Sequence, residues 1–300
     1  MKNTGIVILC CILAVAFLPL VNKKDVKILN ENYIVSVFNT EKGKIEETSL
    51  EEYVLKVLEK EMPPTYELEA LKAQAIAIRT YTMRKKDTTV PQHNGAEVCT
   101  DYKHCMAYAY DEKELWGDKT EEYIKIYKKA VDETKGIILT YEEKPAATFF
   151  FAISGGNTQN CSDVWGSDLP YLKSVNSEVD KTVTGYETKV RFTLNELNKK
   201  LGVDFSENFQ TEYFPSGYVK SITFDSKTIK GEEIRSLLEL RSSCFEIVKE
   251  GEEFVFKVYG YGHGVGMSQQ GANQMAKQGK TYLEILNHYY NGTVSEKLAV

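Results

Sequence analysis

Residues 59–83 read EKEMPPTYELEALKAQAIAIRTYTM, and this stretch decides how the rest of the chain is arranged. Proline has no backbone N–H and biases the residue before it away from helix, so Met62-Pro63-Pro64 stops the preceding helix close to Glu61. Thr65 reads as the N-cap of the next helix, with Glu67 and Glu69 favourably placed near its positive end. Leu68, Leu71, Ala75 and Ile78 recur every three or four residues as one apolar stripe. Lys72, Ile76 and Arg79 form a second face about 100° away. Both cations are therefore expected beside the break that carries Glu61. A carboxyl group at a helix C-terminus with apolar neighbours holds its proton more tightly, which suits a proton donor. The competing reading is that Glu61 is one more surface charge in the run Glu59-Lys60-Glu61.

Working outward, Ser49-Leu50-Glu51-Glu52 is a capping box that opens the helix ending at Glu61. Tyr33–Phe38 and Lys44–Thr48 read as two strands joined by the turn 40–43. Before them, Lys2 precedes an apolar run from Gly5 to Val21, followed by Lys23 and Lys24. Seventeen helical residues span roughly 26 Å, enough to cross a slightly thinned bilayer. Pro19-Leu20-Val21-Asn22 is a poor signal-peptidase site, which favours an uncleaved anchor (residues 1–24) over a cleaved signal peptide. Both readings place the body, residues 25–300, outside the cytoplasm. Cys10 and Cys11 lack the small residue expected before a lipidated cysteine and read as membrane-buried thiols. The net charge of −6, with both signs interleaved, argues against a nucleic-acid binder.

The irregular segment Asp87–Met106 contains His93, Cys99, His104 and Cys105. Two imidazoles and two thiols match the ligand set of a closed tetrahedral zinc site, although the spacing H-x5-C-x4-H-C is not that of a zinc finger. Adjacent His104 and Cys105 need a tight turn to reach one ion. A Cys99–Cys105 disulfide or free thiols are the alternatives.

Thr120 is expected to cap a helix through Lys135, closed by Gly136. Ile137–Tyr141 and Ala146–Ile153 look strand-like, the second running into Ser154-Gly155-Gly156-Asn157. Asp163-Val164-Trp165-Gly166 and Leu169-Pro170-Tyr171 then offer aromatic faces of the kind sugars stack on, although core packing is the commoner fate of such residues. Thr193 opens a capped helix ended by Gly202, Tyr218–Phe224 is a strand, and Glu232–Leu240 is a helix. GYGHGVGMSQQGANQMA (260–276) places four glycines around His263 and Val265 before a helix starting near Ser268. Leu283, Leu286 and Tyr290 suit a final packing helix before a polar tail.

Glu-Met-Pro followed by ALKAQAIAIRTY (70–81), then SGGNTQNCSDVWGSDLPYLKSV (154–175), then GYGHGVGMSQQGA (260–272), resembles the stage II sporulation protein D family. The resemblance covers roughly residues 50–292 and rests on three independent motifs in order. It implies an α+β body of mixed helices and short strands around a glycan-binding groove, preceded by one N-terminal transmembrane helix. It further implies a lytic transglycosylase that cuts the MurNAc–GlcNAc bond of stem-peptide-free peptidoglycan during engulfment, leaving 1,6-anhydro ends. Glu61 matches the family's catalytic glutamate. Lys72, Gln74 and Arg79 fall in its central helix motif. Ser154, Tyr171, His263, Met267, Ser268 and Gln269 match positions near its groove. Stage II sporulation proteins P and M are the implied partners, at the mother-cell membrane facing the intermembrane space. Asp163 and Asp168 keep a two-carboxylate hydrolase open. Relatives that enhance cell-wall amidases keep a non-catalytic binder open. The His/Cys cluster lies outside the shared motifs, and a closed four-ligand set leaves no position for catalytic water.

Overall fold

Helix α2 (Leu68–Lys85) is the axis of the molecule, and it is buried on almost every side rather than along one stripe. In the computed structural model, which describes residues 33–88, 90–111, 116–205, 208–224 and 227–298, the chain is a mixed α+β body. The apolar N-terminal run and its flanking lysines lie outside these residues. Among the described residues no helix is long and apolar enough to cross a membrane.

Packed on α2 are α1 (Leu50–Glu61), α3 (Thr120–Glu133), α7 (Gln269–Lys277) and α8 (Tyr282–Tyr289). The alanines at 70, 73, 75 and 77 are fully buried, and their small side chains let these neighbours approach closely. Three small sheets complete this lobe. Strand β1 (Ile34–Asn39) pairs antiparallel with β2 (Lys44–Ser49) and parallel with β3 (Val98–Cys99). Strand β4 (Ile137–Tyr141) lies between β5 (Lys144–Pro145) and β14 (Val294–Lys297). Strand β6 (Phe150–Phe151) runs parallel to β13 (Met267–Ser268).

A second hydrophobic cluster, rich in phenylalanine, lies between two three-stranded sheets. One has the order β11 (Phe245–Glu250), β12 (Glu253–Tyr259), β7 (Glu187–Thr193). The other has the order β10 (Lys227–Lys230), β9 (Val219–Phe224), β8 (Phe209–Tyr213). Their register places Phe254 opposite Phe192, and helices α5 (Leu194–Leu201) and α6 (Gly231–Leu237) cover the lobe. Helix α4 (Cys161–Trp165) sits where the lobes meet.

Several sequence expectations need correction. The N-cap of α2 is Glu67, not Thr65, because Pro63 O accepts from Tyr66 N (3.1 Å) and the resulting turn displaces Thr65. The side chain of Glu67 caps nothing; instead Asn273 Oδ1 on α7 accepts from Glu67 N at 2.9 Å. Ala146–Ile153 forms only a two-residue strand, the rest being irregular chain packed into the core. Thr120 is the first residue of α3, which is capped by Lys119. In α8 the buried residues are Ile285, Leu286 and Tyr289, while Leu283 faces outward. The polar tail is β14.

Arg79 does not face Glu61. Fully buried, it donates to Glu51 Oε1 (2.8 Å), Glu51 Oε2 (2.6 Å) and the Ile137 carbonyl (3.1 Å). Glu51 Oε1 also accepts from Gly136 N at 3.2 Å, so one bidentate pair ties α1, α2 and the entry to β4. Removing one partner of a buried pair leaves an uncompensated charge. Arg79→Ala should therefore cost about 3–5 kcal/mol of stability in urea unfolding. A loss under about 1 kcal/mol would show that this pair is not the brace.

Glu59 is buried on α1, with neither carboxylate oxygen hydrogen-bonded among the described residues and Lys56 Nζ 3.7 Å away. Burial lifts its pKa from an ordinary 4.5 to about 7. The folded state then holds a proton that the unfolded chain releases, so the contribution of Glu59 to stability is most favourable below pH 4.5 and declines as pH rises to 7. Glu59→Gln should flatten that decline, which amounts to about 3 kcal/mol, when urea unfolding is compared across the window. Parallel pH curves for the two proteins would refute it.

Candidate functional site

Glu61 is the last residue of α1, and the prolines turn the chain into extended backbone at Met62 (φ −129°, ψ 139°). The carbonyl this break leaves free accepts from the Tyr127 hydroxyl on α3 at 2.5 Å, which fixes the direction of the helix end. Tyr127 is held in turn by stacking on Trp116, ring centroids 5.4 Å apart. Glu61 Oε1 accepts from Ala107 N at 2.8 Å, and Gln269 Nε2 stands 3.5 Å from Oε2. Burial raises the pKa of Glu61, opposed by these two donors, and among the described residues no second carboxylate acts on it. The outcome is a half-buried carboxyl, oriented on both oxygens and biased toward its protonated form.

Gln269 arrives from the glycine-rich segment. Gly260 and Gly266 have φ of +78° and +82°, and a Cβ would lie 2.6 Å from Ile153 O in the first and 2.0 Å from Phe149 O in the second. Only glycine lets this segment lie against residues 149–159. Tyr261 and Ile153 exchange both backbone hydrogen bonds (3.0 and 2.7 Å), and Gln159 N donates to Gly264 O at 2.6 Å. The His263 ring accepts from Val265 N at 3.1 Å and packs between Phe151 and Trp165. Burial, with Arg235 nearby, lowers its pKa to about 4, so it is a neutral brace at ordinary pH.

The remaining sequence-nominated residues lie mostly behind this surface. Ser154, Met267 and Ser268 have no exposed area and Tyr171 has 4%. Ser154 N and Ser177 Oγ each donate to buried Asp180 Oδ2 at 3.0 Å, and Ser177 Oγ lies 2.8 Å from the Tyr289 hydroxyl. Ser268 caps α7, accepting from Gly271 N at 3.1 Å, and its hydroxyl lies 3.5 Å from the Ala152 carbonyl. Asp180 thus ties the serine-glycine loop, through Ser177, to Tyr289 on α8. Tyr171 accepts from Ala147 N at 2.9 Å, and Met267 N donates to Phe149 O at 3.0 Å. As placed, these four residues hold the wall and present little surface to a ligand. Gln74 is fully buried, its amide without a partner among the described residues. Lys72 is held by Glu69 (2.7 Å) and Glu133 (2.6 Å), and Glu69 also accepts from Tyr282 N at 2.8 Å to cap α8. The cationic face expected beside Glu61 is therefore absent: Lys72 is neutralised and Arg79 is inside. Asp163 accepts from Asn160 Nδ2 (2.8 Å), and Asp168 pairs with Lys173.

His93, Cys99, His104 and Cys105 do come together, all four ligand atoms lying within 4.8 Å of one another. The tight turn that the adjacent pair needs is present: Asp101 O accepts from His104 N (3.0 Å) and Cys105 N (2.8 Å). Cys99 is held by the parallel pairing of β3 with β1. His93 Nε2 is 3.0 Å from His104 Nδ1 and 3.2 Å from Cys105 Sγ, and Cys99 Sγ is 3.6 Å from His104 Nδ1. Zinc–ligand bonds in a tetrahedron would separate two nitrogens by about 3.3 Å, and a nitrogen from a sulfur by about 3.6 Å. The donor set and its spacing fit such an ion, and both cysteines are free thiols. This loop leads directly to Ala107, the residue whose N–H orients Glu61. Sequence reading missed Ala107, Tyr127 and Asp180, since two act far along the chain and Ala107 acts through its backbone.

Residues 38–141 match the family model described as SpoIID: Stage II sporulation protein. The chain is 28% identical over 295 residues to the amidase enhancer of Bacillus subtilis, covering 79% of this chain and 39% of that one. It is 38% identical over 265 residues to stage II sporulation protein D of Bacillus amyloliquefaciens, covering 86% and 77%. Over 267 residues it is 40% identical to stage II sporulation protein D of Bacillus subtilis, covering 86% of this chain and 78% of that one. Likeness of that extent means that the chain belongs to the stage II sporulation protein D family.

Proposed function

We propose that the chain is a peptidoglycan lytic transglycosylase of sporulation in which Glu61 is the sole acid–base group. The observation that carries this reading is a half-buried carboxyl at a broken helix end, with raised pKa and, among the described residues, no second carboxylate acting on it. Protonated Glu61 donates to the oxygen linking N-acetylmuramic acid to N-acetylglucosamine, and the C1–O bond breaks. The muramoyl 6-hydroxyl attacks the resulting oxocarbenium-like carbon and gives its proton to the Glu61 carboxylate. The ring closes as a 1,6-anhydro end, no water is consumed, and the acid is regenerated. The Ala107 N–H and Gln269 amide orient the carboxyl and stabilise it in its ionised interval. The second reading, a non-catalytic enhancer of cell-wall amidases, is favoured by the likeness to the Bacillus subtilis amidase enhancer.

The proposal includes one structural zinc held by His93, Cys99, His104 and Cys105. Cys99 and Cys105 would hold the ion as thiolates, although burial alone pushes the Cys105 thiol up. The ion would close a loop that has little apolar core of its own and would leave no open coordination position for chemistry. The apolar run 5–21 supports export and action outside the cytoplasm, and the family resemblance implies stage II sporulation proteins P and M as partners.

Mass spectrometry of peptide-free glycan strands incubated with the protein tests the reaction. Anhydro ends are expected; reducing ends would mean a hydrolase and intact strands an enhancer. Glu61→Gln should lower cleavage about 10²–10⁴-fold with the fold retained, and undiminished cleavage would move the role elsewhere. The donor must be protonated, so activity falls as pH rises through the raised pKa of Glu61. Gln269→Ala removes a hydrogen bond that favours the ionised form, so that falling limb should move to higher pH; a limb moving lower would contradict the assignment.

Elemental analysis should find about one zinc per chain, as a closed four-ligand site requires, and Cys99→Ser should lose it. Chelation should speed amide exchange across residues 87–106 and at Ala107. A native Cys99–Cys105 disulfide detected by mass would exclude the metal.

A further inference from the structure

A cavity of 730 Å³ lies where the lobes meet, separate from the residues that orient Glu61. One wall is formed by Gln159, Asp163 and Trp165, the other by Lys220, Thr228 and Lys230 of the β8–β10 sheet. Its size falls within the range of sites that enclose small ligands, about 300–1,000 Å³. Trp165 is 45% exposed, yet it is not loose. Its ring packs against Phe149 and His263, with centroids 4.7 and 5.0 Å away. An aromatic face fixed in this way binds at little cost in side-chain entropy.

The charges around it are largely committed to one another. Asp163 is held by Asn160, Glu212 lies 3.0 Å from Lys220, and Glu232 lies 3.1 Å from Arg235. Lys230 has no ion pair among the described residues. A ligand carrying several charges would have to break pairs, with Lys230 alone, among the described lining residues, free to meet a carboxylate; a neutral one rich in hydroxyl and amide groups would break none. The cavity also communicates with the acid. Gln159 Nε2 donates to His263 O at 2.9 Å, and His263 abuts Trp165. Six residues further along the same segment, Gln269 reaches Glu61. That is at most about 22 Å of backbone.

We infer that this cavity is a distal subsite for a neutral N-acetylhexosamine unit of the glycan strand, stacked on Trp165, which makes the protein favour long strands over short ones. The inference rests on the glycan substrate proposed above, though not on cleavage of it.

The experiment measures binding of peptide-free glycan strands of one, two and six disaccharides to the full chain carrying Glu61→Gln, which removes turnover. Affinity should rise with length. Trp165→Ala should abolish the gain, about tenfold on the longest strand, while leaving binding of the single disaccharide unchanged, and Trp165→Phe should restore most of it. The sequence has two tryptophans, so Trp116→Phe leaves Trp165 as the sole indole. Its emission should then shift with six disaccharides and not with one. Equal losses at all lengths, or an unmoved emission, would overturn the subsite. So would a Trp165→Ala loss confined to strands still carrying stem peptides, which would make the cavity a peptide site. If the wild-type chain cleaves nothing and the length effect persists, the transglycosylase reading falls and the subsite stands.

Discussion

Two consecutive prolines force the chain out of helix one residue after Glu61, and the rest of the site depends on that constraint. Without the break, α1 would run on and Glu61 would be an interior helical position with its carbonyl committed. With it, the carboxyl ends a helix, the next carbonyl is free for Tyr127, and α2 departs at a new angle into the core. A bend made by covalent geometry must still be held, and the Arg79–Glu51 pair holds it from the far side of α1. This fully buried cation therefore acts on the frame of the site rather than on a ligand.

What the sequence made legible follows from how local each signal is. The end of α1, the course of α2 and the caps at Ser49 and Thr193 depend on residues within a turn or two, and all are present, although the box expected at Ser49 forms only its Glu52 N bond among the described residues. The four metal-type ligands were legible because their chemistry is distinctive and they lie within thirteen positions. Arg79 was misread because periodicity gives the face of a helix, not what covers it; its partner is on another helix, 28 residues earlier. Thr65 was misread because the Pro63–Tyr66 turn displaces it, and the N–H of Glu67 at the start of α2 is met by Asn273, 206 residues away. Strands β7 and β14 were missed because they are mostly polar and exposed, β14 along its whole length, and so resemble loops in composition.

The motif residues divide by burial, which sequence does not report. Ser154, Ser268 and Tyr171 are as buried as any core leucine and form hydrogen bonds to the backbone or to Asp180. Their polarity satisfies groups that burial would otherwise leave unpaired. Gln269 is the member of that motif that reaches the acid. A motif can thus mark a site faithfully while most of its letters maintain the wall.

The donors that surround Glu61 also give the protein a timetable. Ala107 lies 46 residues after Glu61, but Gln269 lies 208 residues after it, and the groups that dock the start of α2 are equally distant. A chain made from its N-terminus carries its acid long before it carries the segment that orients it. Contacts so far apart form late because loop closure precedes any reward. A truncated or half-emerged chain would hold the carboxyl without its orientation, so the finished site certifies that nearly the whole polypeptide has arrived.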